Sequence, residues 1–324
     1  MRPPLTRGSI VKAAPYTNSE IVAAALRSWR ISSMRSGSKL RYDQAIFYQY
    51  RGSTARSGVP HKEFMSTDIF RSAALLILIG APYAAFAQTD EIQVYDAEIA
   101  EKGVFNLMIH TNFTPIGRKT ADFSGATIAN NSVNGASEWA YGVTDWFEQG
   151  LYLPVYSFYS ENHGAALNGF KIRELFVRPH AAEHKFFYGM NFEFSVNKLY
   201  WESKRITSEI RPIIGTHLGR WDLIYNPILD TDYTGGLGNL QFNPGGRVAY
   251  NLNKDWAVAA EEYAGFGSLN DVLPVHQQFH EVWAVFDHKT SVVDIEAGVG
   301  IGVTAGSDRM TLKLMVSRDL NRKN

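Results

Sequence analysis

The chain has 324 residues and no Cys, with 45% hydrophobic and 13% aromatic residues, 27 Gly, and 32 basic residues matched by 32 acidic ones. Without Cys there are no disulfide frameworks, thiolate-ligated zinc, iron–sulfur clusters or thiol catalysis. The zero net charge hides two unlike parts: residues 1–64 carry 11 Lys and Arg against 3 Asp and Glu, whereas residues 65–324 carry 21 against 29.

The first part, 1–64, is rich in Arg and Ser and has no sustained apolar period, so it offers nothing to build a core. It reads as a basic, disordered, non-native extension upstream of the true start; the alternative is a transit peptide or a nucleic-acid arm. From Met65 the pattern changes. Arg71 precedes an apolar run over 73–81, and Ala85-Phe86-Ala87 follows before Gln88. A basic residue, a short apolar stretch and an A-x-A site make a secretory signal peptide over 65–87. Nine apolar residues fall far short of the ~20 that span a bilayer as a helix. The exported chain is then 88–324.

Beyond residue 88 the dominant period is two, not 3.6. Over 105–112, Phe105, Leu107 and Ile109 oppose Asn106, His110 and Asn112. Over 185–195, Phe186, Tyr188, Met190, Phe192 and Phe194 oppose Phe187, Gly189, Asn191, Glu193 and Ser195. The split recurs at 204–214, 292–303 and 309–317. About twelve such runs follow one another, near 104–113, 137–144, 147–158, 169–178, 184–195, 204–214, 219–229, 241–251, 255–266, 276–286, 290–303 and 309–318. Their length suits the ~9–11 residues of a tilted membrane strand. The links between them alternate long and short, and 114–136 is the longest. An even strand count with short turns at one end predicts an all-β fold, an antiparallel transmembrane β-barrel of about 12 strands, with both chain ends periplasmic. Two places resist the pattern. Glu174 shares the apolar face of Phe170, Ile172 and Phe176, and Glu261-Glu262 must turn one carboxylate outward.

Four stretches resemble a family of proteobacterial outer-membrane transporters akin to the group labelled for the MetA-pathway of phenol degradation. They are EWAYGVTDWFEQGLYLP (138–154), TSEIRPIIG (207–215), RVAYNLNKDWAVAAEEY (247–263) and DRMTLKLMVSRDLN (308–321). The resemblance implies a Gram-negative outer-membrane barrel for passive uptake of small, aromatic compounds, and it supplies no binding residue.

Few motifs carry chemistry. His180-Ala-Ala-Glu-His184 has the spacing of inverted zinc proteases, but Pro179 and the flanking strands make it a turn. Gly298–Gly302 imitates part of a dinucleotide fingerprint with no helix after it. His163–Gly169 lacks the Ser of barrel lipases, which leaves no nucleophile beside a base. His276 and His280 are placed on one strand face, without a third metal ligand. No catalytic residue, metal site or cofactor is therefore expected.

The remaining signal is charge on the Gly-rich face: Lys171, Arg173, Glu193, Arg205, Glu209, Arg211, Asp294, Glu296, Arg309 and Lys313. A base at mid-depth on the lipid face costs ~2–4 kcal/mol, so these residues are predicted to line the pore. Lys171, Glu193 and Arg205 are expected to form a positive–negative–positive row across three strands. The function expected is a channel or transporter for a small aromatic or anionic solute, not an enzyme. The alternatives are a lipid-modifying enzyme and a structural or adhesive barrel with a closed lumen. The partners implied are outer-membrane lipid and the solute, with no nucleic acid and no particular oligomeric state.

Overall fold

The computed structural model describes residues 90–321. The expected extension over 1–64 and the signal peptide over 65–87 lie outside them. Segments of extended chain join into a closed, antiparallel barrel of twelve strands. They are β1 Phe105–Ile116, β2 Ser132–Gly142, β3 Phe147–Tyr159, β4 Ala166–Val177, β5 Phe186–Asn197 and β6 Ile206–Leu218. The next three are each made of two pieces: β7 of Trp221–Asn226 and Leu229–Thr231, β8 of Gln241–Phe242 and Gly245–Asn251, and β9 of Trp256–Gly265 and Gly267–Ser268. β10 Phe279–Lys289, β11 Asp294–Gly302 and β12 Met310–Asp319 complete the wall. Each strand pairs with its sequence neighbour, and β1 closes on β12 from Asn106↔Asp319 to Ile116↔Met310. Closure pairs each of these twelve strands on both sides, as a backbone surrounded by hydrocarbon requires.

The wall is apolar outside and polar inside. On β5, Phe186 and Tyr188 are 51% and 54% exposed, while Phe187 and Asn191 are fully buried. Outward Val299 and Ile301 on β11 alternate with inward Gly298, Gly300 and Gly302 in the same way. The two misfits resolve locally. Glu174 does face outward, near the end of β4, and accepts a hydrogen bond from Gln149 at 3.0 Å. Glu261 points inward and is buried, while Glu262 points outward beside His280 at 3.1 Å.

Links at one end run over 117–131, 160–165, 198–205, 232–240, 269–278 and 303–309; those at the other run over 143–146, 178–185, 219–220, 252–255 and 290–293. The alternation is looser than expected, since 178–185 exceeds 160–165. The longer turn folds Ala181 inward, where it is buried against the core cluster of Val177 and Phe187. β1 and β2 also reach further than their apolar periodicity, so the longest loop shortens from 114–136 to 117–131. It carries no strand or helix and is tied to other loops: the Thr127 amide donates to the Tyr200 carbonyl, and Arg118 pairs with Asp308.

The most consequential element is not a strand. Residues 90–104 enter at the short-turn end, where the Gly103 amide donates to the Gly142 carbonyl, and climb through the interior. Ile92, Val94, Tyr95 and Ala97 are buried there. Val94, Tyr95 and Ala97 pack with Leu175, Phe187, Ile213 and Ile224 from four strands. The barrel core is thus built around a piece of its own N-terminal chain.

Candidate functional site

The interior divides into two ion-paired belts, the segment they grip, and a vestibule above it. One belt spans β1 to β4. Arg173 holds Glu138 at 2.9 Å and also Glu148, and His110 Nε2 lies 2.9 Å from Glu138. Glu148 accepts the Ala100 amide of the entering segment at 2.5 Å. The second belt spans β8 to β12. Lys313 lies 2.6 Å from both Glu261 and Glu296, and Arg247 joins Glu261, Asp287 and Glu296. Lys313 also donates to the Ile92 carbonyl at 3.2 Å. Inward charges in a narrow barrel have little water, so each is met by an opposite charge or a hydrogen bond.

Tyr95 is the central pin. Its amide donates to Asn226 Oδ1 at 2.7 Å, and Asn226 Nδ2 donates back to its carbonyl at 3.0 Å. Its hydroxyl meets that of Tyr152 at 2.7 Å, and the Arg211 guanidinium lies 4.2 Å from its ring centroid. Arg211 holds Glu209 through two hydrogen bonds of 2.6 and 3.0 Å, and Gln93's carbonyl at 3.1 Å. Lys171 lies 2.9 Å from Asp90 and 3.7 Å from Glu193.

Above the segment, toward the longer loops, lies a cavity of about 460 Å³ with Asp90, Glu91 and Gln93 in its floor and Trp201 and Tyr263 in its walls. In the overlying loop 117–131, burial pushes the Asp122 carboxyl up despite the opposing pull of Arg118.

Of the residues singled out in the sequence, Lys171, Arg173, Glu193, Glu209, Arg211, Glu296 and Lys313 face the interior. The other three sit at the rims. Arg205 and Arg309 are exposed just outside β6 and β12, and Asp294 accepts the Thr290 amide in a short turn. The expected row fails at its third member. Glu193 pairs across with Arg173 on one side and Glu209 on the other, not Arg205. Loop 198–205 centres the β5–β6 hairpin near residue 201 rather than 199, which moves the register by four residues. A carboxylate therefore stands where a cation was expected. His276 and His280 do not share a strand either, because Pro274 and the turn it starts delay β10 until Phe279. Among the described residues, no group of three or more His, Asp or Glu could hold a metal ion.

Sequence reasoning missed the interior segment. No element is expected before the run near 104–113, although Ile92 and Val94 alternate at period two and both turn inward. Glu138, Glu148, Arg247 and Glu261 were missed because only the register places them opposite known charges.

No family model and no curated sequence relative matches the chain. Solved structures do. The COG4313 outer-membrane channel from Pseudomonas putida F1 aligns over 71% of this chain and all of its own, at 12% identity and a TM-score of 0.48. The NanC porin aligns over 66% of this chain and all of its own, at 12% identity and 0.44. The TodX monoaromatic hydrocarbon channel covers 69% of this chain and 91% of its own, at 12% and 0.35. At these identities the likeness concerns fold.

Proposed function

We propose that the barrel is an outer-membrane channel for a small solute, held closed in this structure by residues 90–104. The observation that carries this reading is the inverted wall: apolar side chains outside, charged ones inside, around a cavity that stops at the segment. A soluble protein rarely exposes contiguous apolar surface beyond a few hundred Å². Here outward strand faces are apolar around the barrel, from Leu151 and Phe194 to Val258 and Leu314. The longer loops then face the cell exterior and the short turns the periplasm. The reading assigns no catalytic step to the chain. The interior charges act by holding the segment and, when it moves, by setting which ions pass.

The filled interior favours one other reading, a structural barrel that never conducts. Recording from the purified protein in planar bilayers separates the two. The channel reading expects brief openings between long closures; a membrane that stays silent after verified insertion favours the structural barrel.

A further inference from the structure

The vestibule has a charge balance opposite to that of the positive–negative–positive row expected from the sequence. Its floor and walls carry the carboxylates of Asp90, Glu91, Glu193, Glu209 and Asp230 against Lys171 and Arg211, while a third cation, Arg118 of loop 117–131, is taken up by Asp122 and Asp308. Lys171 is shared by Asp90 and Glu193, and Arg211 by Glu91 and Glu209. Asp230 receives the Asn243 amide at 2.6 Å but pairs with neither of these cations. Nearer the mouth, Glu202 and Asp232 add further negative charge.

Glu91 supplies an independent observation. Its side chain is 3% exposed, its Oε1 lies at a long 3.5 Å from Arg211, and its Oε2 has no hydrogen-bond partner. A buried carboxylate oxygen without a donor has lost its hydration and gained nothing in return, and a donor arriving in the cavity would recover that cost. The shape of the site narrows the choice of donor. Among the described residues no three acidic side chains converge as a compact metal ion requires, and the carboxylates are spread around a cavity of drug-sized volume. Trp201 and Tyr263 line the same space. Aromatic faces attract organic cations, as the protein's own Arg211 over Tyr95 and Lys171 over Tyr152 illustrate.

We propose that the vestibule binds a small organic cation, an ammonium or guanidinium group on an apolar body, with Glu91 as its innermost acceptor. This rests on the channel reading, for which it names the solute class. The test is calorimetric titration of the full protein in detergent with phenethylammonium, and with phenylpropionate as an anion of similar size. The cation is expected to bind and the anion not to. Glu91→Gln and Asp230→Asn should each weaken the cation by about tenfold, the loss of one charge-assisted hydrogen bond. Retained heat-modifiable migration on gels verifies that each variant is folded. Undetectable cation binding, equal binding of the anion, wild-type affinity in both variants, or displacement by equimolar Ca2+ would each overturn the assignment. Bilayer recording judges the channel reading separately, since a silent barrel that binds phenethylammonium keeps the site and loses the channel.

Discussion

At the scale of single residues, the inward glycines are seats for large neighbours. Phe187 lies directly across from Gly215, Trp283 from Gly300, and Arg173 from Gly150. A Cβ at Gly215 would come within 2.0 Å of the Phe187 ring, and one at Gly300 within 2.2 Å of the Trp283 indole. Each glycine lets a bulky side chain lie flat on the wall and leaves room for the interior segment. Gly215→Val should push Phe187 off its seat and into the segment's core, with an overpacking cost of about 1–3 kcal/mol. Urea unfolding from lipid vesicles checks this, and an unchanged midpoint would show that the wall gives way instead. The Gly-rich face was legible in the sequence, since glycines recur at period two over 298–302. What each glycine accommodates was not, because the large partner comes from another strand.

At the scale of elements, the strands and the segment are held by different means. A strand is fixed by two neighbours through a full ladder, whereas residues 90–104 are fixed mainly by side chains reaching in from the wall. The segment is therefore the part that can move without opening the barrel. Asn226→Ala removes both hydrogen bonds to the Tyr95 backbone. At ~0.5–1.5 kcal/mol each they contribute about 1–3 kcal/mol, so the closed–open balance should shift by about 5–150-fold. The expected result is a corresponding rise in open probability in single-channel records; an unchanged open probability would mean that the segment does not gate. Strand ends were the least legible feature at this scale. Residues 132–136 lack apolar alternation, yet Ser132 and Asn134 belong to β2 because polar partners await them inside: Ser157 donates to Asn134 at 2.7 Å, and Asn168 to Ser157 at 2.8 Å.

At the scale of the whole molecule, an apolar exterior, a charged interior and complete closure form one solution to burying a backbone in lipid. The faces should respond differently to the same change. Outward Leu314, in mid-strand on β12, is 44% exposed, and its neighbour Lys313 is buried inside. Leu314→Arg should cost about 2–4 kcal/mol in a bilayer and much less in detergent, where a flexible micelle replaces the hydrocarbon slab. Comparing unfolding midpoints in the two media tests this; equal losses would indicate that β12 does not face lipid.

The sequence alone determined the strand count, the outward and inward faces and the inward turn of most of the charges. Those properties follow from a strand period of two and from lipid's demand for an apolar exterior, and both are written residue by residue. Only the tertiary structure decided which charges meet and what fills the lumen. Register depends on where each hairpin turns, so a loop centred near residue 201 rather than 199 set Glu209, not Arg205, beside Glu193. The interior segment shows the same boundary. The alternation of Ile92 and Val94 says that one face is buried, but not whether the burial is against lipid or within the barrel. That choice rests on contacts from Asn226, Lys313 and Glu148, which stand far from the segment in the chain and meet it only when the barrel closes.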